Sequence, residues 1–180
     1  MASRSDFIYP NNGVPHSETK VASAPHPDVQ NSRVKIKDAV ITSMENLTHD
    51  TFLLTVKLDN NEHLESHAGQ YGTLKADDLD KPRAFSFARG PNSEKKGEFS
   101  FFIKQVPGGL FSEYLNEDRT GQKIVLSGPM GQFKIDESNE DMVCIAGGSG
   151  MSAINAIVEE AAHSQVKRNC YFFYGARQQK

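Results

Sequence analysis

Cysteine is scarce in this 180-residue chain: Cys144 and Cys170 stand alone, each inside an apolar run. Two isolated thiols cannot by themselves complete a zinc site or an iron–sulfur cluster, and their setting suits buried, reduced side chains. No cluster of lysine and arginine dominates any segment, and the formal net charge is −3. That balance excludes a protein whose business is the phosphate backbone of nucleic acid. No apolar stretch approaches the roughly 18 residues of a membrane span. The N-terminus lacks the apolar core of a secretory signal, so a cytoplasmic location is expected. Large apolar residues are also sparse before Asn31, where Pro10, Pro15, Pro25 and Pro27 alternate with Asn, Ser and His. Such a composition cannot offset its own ordering entropy, and residues 1–32 read as a flexible N-terminal arm.

From Arg33 the pattern turns to short strands. Val34, Ile36 and Val40 mark a first strand, with an irregularity expected near Asp38 and Ala39 and a turn over Asn46–Asp50. Phe52, Leu54, Val56 and Leu58 then alternate on one face of a second strand, closed by Asp59–Asn61. Shorter strands follow at Gln70–Leu74, around Arg83, at Gly97–Gln105 and at Gln122–Ser127. Six short strands separated by turn signals predict an antiparallel barrel or sandwich. His49, His63 and His67 fall on turns, where solvated imidazoles are expected rather than metal ligands. Beyond Gly131 the grammar changes. Met142–Ala146 is a continuous apolar run, Ile154, Ile157, Val158 and Ala161 recur at helical spacing, and Cys170–Tyr174 is apolar again. Strand, helix, strand predicts one βαβ unit with parallel strands. A single unit cannot cover such a sheet on both faces, so this second domain reads as cut short.

Four stretches carry chemistry. Lys81–Ala88 places Arg83, Phe85 and Phe87 on one side of a strand, with Ala84, Ser86 and Ala88 on the other. A guanidinium beside aromatic rings suits a ligand that is both anionic and aromatic. In the run Val106–Ser112, Gly108 and Gly109 let backbone N–H groups approach a ligand ahead of a short helix over Leu110–Asn116, with the Ser112 hydroxyl in its first turn. A plain strand-to-helix turn explains that run equally well. Gly128–Phe133 is a tight turn ending the sixth strand, where barrel and βαβ unit must meet. Gly148-Ser149-Gly150-Met151-Ser152-Ala153 satisfies the dinucleotide fingerprint between a strand and a helix. The acidic residue that should close the next strand is missing. Gly175, Ala176 and Arg177 stand there, and Arg177 either meets a 2′-phosphate or caps the strand, leaving NADH and NADPH undecided.

Taken in order, these motifs with the final Tyr174-Gly175-x-Arg177 resemble the ferredoxin–NADP reductase superfamily, above all the reductase components of bacterial multicomponent oxygenases. The resemblance spans about residues 33–180. It implies a six-stranded antiparallel FAD-binding barrel (33–135) followed by a truncated, Rossmann-like nicotinamide-nucleotide domain (136–180). It also implies electron flow from NAD(P)H through FAD to a ferredoxin-type carrier or oxygenase component. The [2Fe-2S] centre would lie on that partner or on another segment. By position, Arg83 should bind the flavin pyrophosphate, Phe85 should lie along the isoalloxazine and ribityl chain, and Ser86, beside Ala84, should sit near flavin N5 as the catalytic hydroxyl. Phe102, Ile103 and Lys104 should line the flavin, and Gly108, Gly109, Leu110, Phe111 and Ser112 should hold its phosphates. Gly147, Gly148, Ser149, Gly150 and Met151, with Tyr174, Gly175 and Arg177, should receive the nicotinamide nucleotide. Phe85 replaces the family's commoner Tyr, Ser149 replaces Thr, and Ser152-Ala153 replaces a small residue and proline. A flavin reductase that releases reduced flavin, or a non-catalytic flavin or nucleotide sensor, fits the same motifs.

Overall fold

The computed structural model describes residues 34–175. The expected N-terminal arm, 1–32, and Arg177 lie outside the described residues. Among those described, the elements are β1 (Lys35–Thr48), β2 (Thr51–Leu58), β3 (Tyr71–Ala76), β4 (Arg83–Ser86), β5 (Glu98–Lys104), α1 (Leu110–Tyr114), β6 (Lys123–Met130), β7 (Met142–Gly147), α2 (Met151–His163) and β8 (Cys170–Gly175).

The first six strands form one antiparallel sheet in the order β4-β3-β6-β1-β2-β5. Its two outer strands meet just past the end of β4, where the Ala88 N–H donates to the Ser100 carbonyl at 2.7 Å. The sheet is thereby nearly closed, with β4 left unpaired on its outer side. Alternation decides what fills it: Leu54, Val56 and Leu58 from β2, Leu74 and Ala76 from β3, Phe99, Phe101 and Ile103 from β5, and Ile124 and Leu126 from β6 all point inward. Phe101 is at the centre, fully buried, with Phe87 at 5.6 Å and Phe85 at 6.4 Å between ring centroids.

Several expected boundaries and faces move. β1 continues to Thr48, so Asn46–Thr48 belong to the strand and only His49 and Asp50 turn. Its irregularities are not at Asp38 and Ala39, which pair without a break with β6, Ala39 also opposing Leu58 of β2. The extra residues are Thr42 and Leu47, one between Ile41 and Ser43, the other between Asn46 and Thr48. The core face of β1 carries Ala39 and Ile41, whereas Val34 and Ile36 are exposed. β6 likewise continues through Gly128 and Pro129 to Met130 instead of ending at Ser127, because its last residues pair with Tyr71 of β3. β4 stops at Ser86, and α1 closes at Tyr114.

β7 and β8 are parallel, as the βαβ reading requires. α2 packs Ile154 over Cys144 and Ala146 of β7, while Ala156 and Ile157 close on Ala68 beside the barrel. The connection between the two sheets is held by Arg168, whose side chain is only 4% exposed. Its Nη1 donates to Asp136 Oδ1 at 2.7 Å and to the Ser138 carbonyl at 2.9 Å, and its Nη2 donates to the Asp136 carbonyl at 3.2 Å. The hydrogen bond from Arg168 holds the Asp136 carboxyl down at about 2. Cys144 is buried, but Cys170 is exposed, like every residue of β8, which corrects the expectation of two buried thiols. Their sulfurs lie 3.8 Å apart and both are free.

Removing the Phe101 ring should leave a cavity against Phe85 and Phe87 and cost about 3–5 kcal/mol of stability. Urea unfolding of Phe101→Ala followed by circular dichroism measures it, and a loss below about 1 kcal/mol would place the core elsewhere.

Candidate functional site

β4 sits at the edge of the sheet and pairs only with β3, Arg83 opposite Leu74 and Ser86 opposite Tyr71. One side of its backbone is therefore open from Arg83 to Ser86. Pro82 enters this edge without an N–H to strand. Arg83 and Ala84 are exposed, Phe85 and Ser86 half-buried. The Arg83 guanidinium donates only to its neighbour's Pro82 carbonyl, at 3.2 Å, among the described residues. Phe85 leans inward on Phe111, with ring centroids 5.1 Å apart. The strand is thus anchored by its aromatic residue, with the cation of Arg83 turned to solvent.

Neighbouring β5 offers less side chain than the sequence suggests. Phe102 is half-buried on the outer face, but Ile103 is 1% exposed in the core, so only its main chain is available to a ligand. The Lys104 ammonium is engaged by Asp50 at 2.9 Å. That hydrogen bond is the main reason the Asp50 carboxyl is held down at about 2, the hydroxyls of Thr48 and Thr51 adding to it.

Beyond β5 the chain makes a tight loop. Gly109 N–H donates to the Val106 carbonyl at 2.9 Å, and Val106 N–H donates to Ser112 Oγ at 3.0 Å. Because Ser112 Oγ accepts that bond, its own proton is free to donate. A Cβ on Gly109 would stand 3.0 Å from the Val106 oxygen, so tight that the loop would have to give by a few tenths of an ångström. Gly108 has φ +74°, and a Cβ there would meet nothing within 4 Å, so the glycine leaves open space above the loop. Leu110 is exposed, while Phe111 is 3% exposed and pins α1 to the barrel. Phe111 therefore supports this loop from below.

The second glycine turn follows β7. Gly148 has φ +53°, and neither Gly148 nor Gly150 would bring a Cβ within 4 Å of anything. Ser152 Oγ donates to the Ser149 carbonyl at 3.0 Å and closes the turn on the helix, which gives the unusual Ser152 a structural part. Met151 packs on the Cys144–Ala146 cluster. Tyr174 and Gly175 are exposed at the end of β8, Gly175 in register with Gly147. The turn Gly148–Gly150 comes against β5, so the strand-edge and nucleotide candidates are brought to one region. Two open glycine turns, a guanidinium held only by its neighbouring carbonyl among the described residues and a free hydroxyl proton suit anionic ligands that carry a pyrophosphate, such as FAD.

Other functional groups escape sequence reasoning because they are polar residues on a helix, where a solvated face is the ordinary expectation. Asn155 Nδ2 donates to the Ala88 carbonyl at 2.8 Å, Gly90 N–H donates to Glu159 Oε2 at 3.0 Å, and Asn92 Nδ2 donates to both Glu160 oxygens at 3.0 and 3.2 Å. Their only sequence signal is the i, i+4 spacing of Asn155 and Glu159. Nearby, a cavity of about 430 Å³ lies between residues 63–67 and the loop after Phe87. Burial raises the pKa of Glu94 on its wall. Among the described residues the Glu94 Oε1 has no hydrogen-bond partner.

Comparison with known proteins bears on the same residues. Residues 38–135 match the model of the oxidoreductase FAD-binding domain. The xylene/toluene monooxygenase electron transfer component XylA of Pseudomonas putida is 36% identical over 143 residues, covering 79% of this chain and 40% of that protein. The toluate 1,2-dioxygenase electron transfer component of the same organism is 32% identical over 138 residues, covering 76% of this chain and 40% of its own length. Among solved structures, the ferredoxin reductase in carbazole 1,9a-dioxygenase superposes with a TM-score of 0.72 at 30% identity, over 81% of this chain and 44% of that one. Phthalate dioxygenase reductase, at 16% identity and a TM-score of 0.70, shares the fold over 79% of this chain and 44% of its own. The chain spans about two-fifths of the length of the curated relatives it matches.

The Asp50–Lys104 pair gives a pH test. A carboxyl held at about 2 when folded adds stability above the ordinary aspartate value of 3.8 and loses it as pH falls through about 2. In Lys104→Met the Asp50 titration, followed by carboxyl carbon NMR, should move up toward 3.8. An unmoved midpoint would assign the effect to the two threonines instead.

Proposed function

The chain belongs to the oxidoreductase FAD-binding domain family, and from that premise we propose that it passes electrons from NAD(P)H through bound FAD to an iron–sulfur carrier or oxygenase component. The observation that carries this reading is the convergence of the open β4 edge and the two open glycine turns, with Gly148–Gly150 set against β5. When bound, FAD supplies the exchange between a two-electron donor and a one-electron acceptor. The protein's part is to bind, orient and shield. Arg83 offers a planar, charge-assisted fork to the flavin pyrophosphate. The loop at Gly108 and Gly109, whose Gly109 N–H is held by the Val106 carbonyl, offers the open backbone at Gly108 and the Ser112 proton to the same phosphates. Ser86, half-buried on a strand whose partner is fixed, would offer its hydroxyl to the reacting ring. Gly147–Met151 receives the nicotinamide nucleotide at a helix start, with Tyr174 and Gly175 across the strand ends and Arg177 following them.

In this reading residues 33–135 are the flavin domain and 136–180 belong to the nucleotide domain. The iron–sulfur centre lies on the partner or on a further segment. Among the described residues no helix is long and apolar enough to cross a membrane. A cytoplasmic location is proposed because NAD(P)H is available there.

Two substitutions separate binding from turnover. Arg83→Ala should raise the flavin dissociation constant by about ten- to a hundredfold, equivalent to roughly 1.5–3 kcal/mol, without changing the unfolding midpoint. Ser86→Ala should slow flavin reduction at saturating NAD(P)H far more than it weakens flavin affinity. Flavin fluorescence and stopped-flow absorbance measure these. Unchanged flavin retention in the first variant sinks the role of Arg83, and a normal reduction rate in the second leaves Ser86 a packing residue.

A further inference from the structure

We propose that Asn155 and Glu159 are positioning residues that lock α2 to the main chain leaving β4 and so set the separation of the Gly147–Gly150 turn from Ser86. This rests on the function proposed above and adds to it a fixed geometry between the two ligand sites.

The contact is made by side chains of the helix on backbone of the barrel. Asn155 Nδ2 donates to the Ala88 carbonyl at 2.8 Å and to Glu159 Oε1 at 3.1 Å. Glu159 Oε2 accepts the Gly90 N–H at 3.0 Å, and its Oε1 accepts from Arg89 Nη1 at 3.3 Å. Ala88 is fully buried, so its carbonyl has to find a partner inside the protein. Asn155 is that partner. Gly90 completes the fit: a Cβ there would stand 3.2 Å from both the Ala156 oxygen and the Glu160 nitrogen, so loop backbone lies directly on helix backbone.

Two short, stiff levers connect this clamp to the ligand sites. Asn155 is five residues into the helix from Gly150, about 7.5 Å along its axis. Ala88 is two residues from Ser86, roughly 7 Å of extended chain. The apolar contacts of α2, Ile154 on β7 and Ile157 on Ala68, hold the helix down. Apolar contact is non-directional and permits sliding or rotation, whereas three hydrogen bonds from the helix to Ala88, Arg89 and Gly90, braced by the Asn155–Glu159 bond within it, do not. The clamp therefore specifies where along its axis, and at what rotation, α2 sits against the flavin strand. Neither residue is among those assigned to FAD or to the nucleotide.

The test uses the protein carrying bound FAD, with Asn155→Leu and Glu159→Ala, and Glu159→Gln as the conservative change that keeps an acceptor for Gly90. Flavin affinity and reduction by dithionite should match the parent protein, and NAD(P)H affinity should stay within about twofold. Flavin reduction at saturating NAD(P)H should fall about ten- to a hundredfold, the range expected when reacting groups shift by about an ångström. Glu159→Gln should retain the rate within about threefold. Hydrogen exchange at the Gly90 amide, a readout independent of turnover, should quicken in Glu159→Ala and not in Glu159→Gln. A reduction rate at saturation equal to the parent's in both disruptive variants overturns the proposal, as does a loss confined to nucleotide affinity or an unaltered Gly90 exchange. A parent protein that holds flavin yet is not reduced by NAD(P)H overturns the proposed function instead, and the Gly90 amide still judges the clamp.

Discussion

Ala88 spends its two main-chain groups on two different parts of the molecule. Its N–H closes the seam of the sheet on Ser100, and its carbonyl takes the Asn155 amide from the helix of the other sheet. A residue with no exposed surface cannot leave either group to water. The end of β4, the closure of the barrel and the seating of α2 are therefore tied to one residue. Loss of the seam would disturb the helix, and loss of the helix would orphan the seam's carbonyl. The rest of the site inherits its geometry from that junction.

Around it the side chains divide by task. Phe85, Phe87, Phe101, Phe111 and Ile103 face the core and fix the strands and α1. Arg83, Leu110 and the two glycine turns face outward; among the described residues the Arg83 guanidinium meets only the Pro82 carbonyl, and a Cβ at Gly108, Gly148 or Gly150 would meet nothing within 4 Å. This arrangement is what preorganisation requires: the atoms offered to a ligand are held by neighbours that do not touch it. It also explains why several residues in the binding motifs are apolar. Phe111 and Ile103 hold the frame from inside.

Much of this was readable in the sequence where alternation was strict or a glycine had a stated task. β2 and β5 show their buried faces residue by residue, and the turn between β7 and α2 announces itself by Gly148 and Gly150. β1 misleads because bulky Ile36, with Val34 just ahead of the strand, is exposed, while small Ala39 with Ile41 fills the core. A one-residue slip in register exchanges the faces, and size alone does not reveal which face is inside. The end of β6 was hidden by Gly128 and Pro129, which look like a turn until Tyr71 is seen pairing with Met130. Asn155, Glu159 and Arg168 were hidden for another reason: a polar residue bonded to distant backbone has the same letter as one bonded to water.

Arg168 has a consequence for how the chain acquires its structure in time. Its guanidinium reaches back 32 positions to Asp136 and 30 to Ser138, binding carbonyls of the connection between the sheets. Every contact inside the barrel is available once residue 130 has been made, since β6 is its last strand. The connection is not, because its anchor comes only just before β8. During synthesis the barrel can be finished while the path from it to β7 is still unsettled, and that path becomes final only when the second parallel strand arrives. Assembly is thus sequential by construction, with the long-range Arg168 contacts closing the connection late and the barrel offering a completed surface on which α2 can settle.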